Sequence, residues 1–245
     1  MNAFQKLLLA VVPVLAALAV GAAPASSALV CLPTTFMQDN HPLTAALIDP
    51  PSVPENLDAT GCDIGVYYDT GSRSLNHVNV FGATYYGLLS NGTGVVTDVD
   101  HSSFFDIGNH PHDGTQHGID IAWRNGATGS LDLSQVYDYQ KGGVLADGAG
   151  TSVSITNNVI RGLGPTPFIA QNGVQVSRGA TGNVNGNFIE DNEYTGCSKA
   201  DAKATGCTFT ESTGILLFQV DQSLVDTSNN TYRDNDVNLF NGSNQ

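Results

Sequence analysis

The stretch GVQVSRGATGNVNGNFIEDN (residues 173–192) nearly rewrites GIDIAWRNGATGSLDLSQVYDY (residues 118–139). Each opens with glycine and alternating apolar residues, runs to Gly-Ala-Thr-Gly, and begins a second alternating stretch. Self-similarity of this kind marks a chain built from stacked units, none of which can bury its apolar face alone.

Outward from that pair, the same opening recurs at Gly65-Val66, Gly87-Leu88, Gly118-Ile119, Gly143-Val144, Gly173-Val174 and Gly214-Ile215, and again at Val237 with Asp236 in the place of glycine. The steps between these positions are 22, 31, 25, 30, 41 and 22 residues. Period-2 alternation over short runs reads as strand, and helical periodicity is absent beyond the N-terminus. Short strands stacked at about 4.8 Å bury their inward residues against the turns above and below. The fold expected is an all-β right-handed parallel β-helix of about seven coils.

Asn158, Asn187 and Asn230 hold matching places and are expected to form an internal hydrogen-bonded ladder. Short and long steps alternate, so the longer unit spans 53 residues (Gly65 to Gly118) or 55 (Gly118 to Gly173). Every second coil then carries an outward loop on one face, at 106–118 and 161–173. Residues 61–245 make the repeat domain. Residues 29–60, rich in proline, read as an N-terminal arm capping the open end, with one or two helical turns at 43–48.

The first 28 residues read as a secretory signal: Lys6, an apolar run from Leu7 to Val20, and the small residues Ser26-Ser27-Ala28. No later segment is long and apolar enough to span a membrane. The formal charge is −14, becoming −15 once Lys6 is removed with the signal. So acidic a chain is repelled by nucleic acid and by anionic membranes. The four cysteines suit an oxidising, extracellular setting. Their three possible pairings stay open, with Cys197–Cys207 and Cys31–Cys62 favoured.

On GVLADGAGTSVSITNNVIRGLG (143–164) and GVQVSRGATGNVNGNFIEDN, the chain resembles the parallel β-helix repeat proteins of the pectate-lyase-like superfamily. The resemblance covers roughly residues 60 to 240 and implies a fold more than a reaction. An Arg-x-Pro-x-x-Arg motif is missing, and of the polygalacturonase motifs only His117-Gly118 matches. Neither catalytic set carries over.

Candidate chemistry rests on columns set by the glycine alignment. Gln116, Lys141 and Gln171 align two residues before each glycine, with His117, Gly142 and Asn172 beside them. Lys141, Asp120, His117 and Asp106 are the catalytic candidates, Lys141 as a base if its proton is loosened. Alternation puts Asp120 and Gln175 outward and Ile119, Ile121, Val174 and Val176 inward. Gln116, Gln171, Asn172, Gln175, Tyr139 and Trp123 are the carbohydrate-binding candidates, the aromatic pair by stacking on sugar rings. No metal set is assigned. His110, His112 and His117 with Asp106 and Asp113 carry ligand chemistry, and the Asp-rich stretches 96–106 and 232–238 could hold Ca²⁺. The function expected is a secreted repeat protein that binds, and in one version cleaves, extracellular polysaccharide; the alternative is a non-catalytic structural or adhesive protein.

Overall fold

The computed structural model describes residues 29–242, so the signal assigned to residues 1–28 lies outside the described residues. Nearly all regular structure is strand, gathered in three sheets of nine, six and seven strands. The chain visits them in rotation. From Ile64–Tyr68 in the nine-stranded sheet it passes to Ser72–Asn76 in the six-stranded and Asn79–Phe81 in the seven-stranded sheet, then returns at Tyr86–Asn91. Each of these strands pairs in parallel with the strand three elements later, an arrangement compatible with a β-helix or solenoid.

The interior is one apolar cluster fed by all three sheets. Ile121, Val144, Val174 and Ile215 stand in register in the nine-stranded sheet, facing Leu131, Ile155 and Val184 from the second and Val136, Ile160 and Ile189 from the third. The expected asparagine ladder is present. Asn158 and Asn187 each donate from Nδ2 to the next asparagine's Oδ1 at 3.0 Å, and those oxygens also accept the backbone N–H of the residue one coil below. Ser134 and Ser102 continue the column toward the N-terminus, accepting from Ser102 N and Val78 N at 3.0 and 3.2 Å.

The glycine column differs from the sequence alignment in two coils. Register places Gly65, Gly87, Asp120, Gly143, Gly173, Gly214 and Asn238 in one row. Gly118 and Asp236 therefore sit two residues before the positions assigned to them. The row needs glycine because a Cβ on Gly143 would meet Gly173 O at 2.6 Å and press on Tyr139 and Ile160. The row points inward. Asp120 is accordingly buried and not outward-facing as alternation implied.

The arm also departs from expectation. Residues 43–48 are not helical: Leu32–Gln38 and His41–Ile48 form an antiparallel hairpin, and the second strand pairs in parallel with Ile64–Tyr68. Its alternation explains this, since Leu43 and Ala45 are buried while Thr44 donates from both N and Oγ1 to Asp63 at 2.7 and 2.8 Å. The hairpin covers the outer surface of the sheet, where Phe36 and Leu43 form a second apolar cluster with Tyr67, Tyr86, Leu89 and Ala122. The disulfide Cys31–Cys62 fastens it, and Cys197–Cys207 closes the long excursion. That excursion holds the α-helix the periodicity did not predict, Lys199–Thr205, begun by a Ser198–Asp201 capping box. No helix among the described residues is long and apolar enough to cross a membrane.

Candidate functional site

The sequence candidates divide between the interior and one trough. Trp123 is fully buried, donating from Nε1 to Thr97 O at 3.2 Å, and Tyr139 is buried with its hydroxyl on Asn192 Oδ1 at 2.7 Å. Gln171 is internal too, bonded to Tyr139 O and accepting from Leu163 N at 2.9 Å. None of these three presents a surface to a sugar. Gln171 nonetheless has work to do, because its Oε1 holds strand Val159–Thr166 at Leu163.

Gln116, Lys141, Asn172 and Gln175 do converge. They line two adjoining depressions of about 470 and 490 Å³ that meet at Lys141 on the outer surface of the nine-stranded sheet. Phe36, Met37 and Gln38 of the hairpin wall one half; Phe209, Thr210 and Glu211, just past the Cys197–Cys207 disulfide, wall the other. Both walls are chain outside the repeating strands, which is why repeat arithmetic did not reveal a trough between them.

Arg124 and Arg178 were not among the sequence candidates. Both line the first depression, and both pair with Asp147: Arg124 Nη2 at 3.0 Å and Arg178 Nη1 at 2.8 Å. Ser177 Oγ adds a third bond to Asp147 at 2.7 Å. The stacking of Arg124, Asp147 and Ser177 in register makes this possible, and the register was the signal available. One buried carboxylate thus holds two guanidinium groups, leaving the floor of the trough cationic when Lys141 is protonated. Lys141 donates to Ala170 O at 2.7 Å, and burial pushes its amine down to about 8.

The catalytic candidates do not gather. His117 stacks on Tyr85 with ring centroids 4.1 Å apart, its Nε2 3.0 Å from Asn109 Oδ1, and burial lowers its pKa. Asp106 lies near the end of strand Ser103–Ile107, beside His110, His112 and Asp138. Asp120 is enclosed, with no side-chain partner for either carboxyl oxygen and only the Tyr137 backbone on the side of its charged form. Burial raises its pKa well above the ordinary 3.8, aided by the charges of Asp138 and Asp106.

The Asp-rich stretches expected to suit Ca²⁺ scatter their carboxylates. Asp98 accepts from Ser130 Oγ at 2.7 Å, Asp100 pairs with His101 at 2.8 Å, and Asp236 caps Tyr194 N and Ser212 N. The chain matches no family model, no curated protein and no solved structure, so the trough is read from its own chemistry.

Proposed function

We propose that the protein is a secreted right-handed parallel β-helix of about seven coils, capped by its N-terminal arm, that binds extracellular polysaccharide along the trough through Lys141. The observation carrying this reading is the concentration of Lys141, Arg124 and Arg178 in one trough of a chain with only nine lysines and arginines and a net charge of −14. Net charge describes the whole surface, whereas a ligand meets the local field. Gln116, Gln175 and Asn172 add amide groups able to bond hydroxyls, and Phe36, Tyr86, Phe209 and Phe240 add apolar walls. Ligand sites commonly combine such an apolar lining with a few placed polar groups. Cationic groups beside amides suit a chain bearing carboxylate or sulfate groups.

Binding without turnover is the reading the trough favours over cleavage. Asp147 is tied to two arginines and Ser177, and Glu211 pairs with Lys199 at 3.5 Å, so among the described residues no free pair of carboxylates faces the trough. Lys141 is the remaining base; with an amine near 8, about a tenth of it is neutral at pH 7. The deciding experiment titrates the full chain with neutral and anionic polysaccharides, alongside assays for new reducing or unsaturated ends. Wild type should bind an anionic chain without releasing ends, and Lys141→Ala should weaken binding about tenfold, the loss of one charge-assisted bond. Undiminished affinity in Lys141→Ala would remove the trough from consideration.

A further inference from the structure

Away from the trough, Asp106 near the end of strand Ser103–Ile107 and His112 in the segment that follows it come against Asp138 of the next coil, with ligand atoms of all three within 4.8 Å of one another. Asp106 and Asp138 stack because their coils are in register and both take the left-handed conformation, φ 57° and 59°. His112 sets Nδ1 2.9 Å from Asn109 O, while Nε2 faces Asp138, 3.2 Å from its carbonyl and 3.7 Å from Oδ1. Both ring nitrogens thus face oxygen atoms that can only accept, so Nε2 meets Asp138 through a proton or, when deprotonated, through a cation held between them. This is how a metal-ligating histidine is held: one ring nitrogen fixed by a backbone carbonyl, the other turned to the ion. His110 stands alongside, Nδ1 3.6 Å from Asp106 Oδ1.

A separate observation concerns the charge behind this cluster. Elsewhere the fold meets its buried carboxylates with guanidinium pairs: Arg124 and Arg178 for Asp147, Arg161 and Arg233 for Glu190. Asp120 has no such partner: no side chain bonds its oxygens, only the Tyr137 backbone favours its charged form, and the charges acting on it are those of Asp138 and Asp106. Among the described residues, no lysine or arginine pairs with any of these three. A cation at the cluster would relieve all of them together.

We propose that Asp106, His112 and Asp138, with His110 as a fourth donor, form a binding site for a divalent transition-metal ion of the zinc type. Mixed imidazole and carboxylate donors select such an ion over Ca²⁺, which takes oxygen ligands. Asp106 and Asp138 are partly exposed, so the ion enters from solvent without opening the coil.

The test is calorimetric titration of chelator-stripped full-length protein with Zn²⁺, and separately with Ca²⁺. Wild type should take up one equivalent of Zn²⁺ in preference to Ca²⁺. Asp138→Asn and His112→Ala should each lose tenfold or more in affinity, while His101→Ala, at a distant His–Asp pair, should not change it. Should His112→Ala fail to fold, His112→Gln keeps a donor for Asn109 O and serves in its place. Absence of Zn²⁺ uptake at millimolar metal, preference for Ca²⁺, or equal uptake by wild type and Asp138→Asn would each overturn the site. None of these readouts depends on sugar binding.

Discussion

Asp120 shows what one residue can do to a repeat. It occupies a row otherwise filled by five glycines and Asn238, and its carboxyl is buried without a side-chain partner. Because its folded-state pKa is raised, its share of stability is intact below pH 3.8, where folded and unfolded forms are both protonated. That share is lost as pH climbs toward the folded value. Asp120→Ala, whose Cβ the structure already accommodates, should therefore raise stability at pH 7 by about 1–3 kcal/mol and by much less at pH 3.5. Denaturant melts at the two pH values, with chelator present, check it. Lys141 gives a pH dependence of binding that runs the same way. With its amine near 8, affinity for an anionic ligand should fall as pH rises from 7 to 9, which binding isotherms would register. At this scale the sequence was a poor guide. Asp120 was placed outward because Gly118, two residues earlier, looked like the repeat glycine. A glycine serving a turn at φ 89° cannot be told by letter from one serving a close approach.

At the scale of elements the sequence spoke more clearly. Asn158, Asn187 and Asn230 were legible as a ladder because matching positions in successive coils carried the same side chain. Asn187 sits in the middle, bonded to Ile155 O, Asn230 Oδ1 and the main chain of Asn158. Asn187→Ala should cost about 2–3 kcal/mol, since it leaves buried donors and acceptors unpaired on both sides. Gly173→Ala should cost a similar amount, about 1–3 kcal/mol from overpacking, because its Cβ would lie 2.6 Å from Gly214 O. Chemical denaturation of both variants measures this. The hairpin and the short helix were not legible. Both belong to insertions whose course is set by what they cover, Tyr67 and Tyr86 for one and a disulfide for the other; the alternation at 43–45 marks a strand but not where the hairpin folds.

Across the whole molecule, the rotation among three sheets follows from strands too short to stand alone, and that much was in the spacing of the glycines. The trough was not, because its floor is repeat and its walls are not. Its cations came into view only when register set Arg124 and Ser177 beside Asp147. The surrounding negative charge makes binding there sensitive to ionic strength. Raising salt from 0.05 to 0.5 M should weaken association with an anionic polysaccharide several-fold, as screening shortens the reach of the three cations.

The two extremities of this coil are unequally fastened. Near the start, a hairpin and a disulfide clamp the first rungs, whereas strand Val237–Asn241 pairs, among the strands of the described residues, with Thr213–Phe218 alone. A spring tied at one side only should unravel from the other. Deuterium should enter backbone amides first near residue 240 and then advance rung by rung toward Gly65, and a protease should nibble the molecule in the same order.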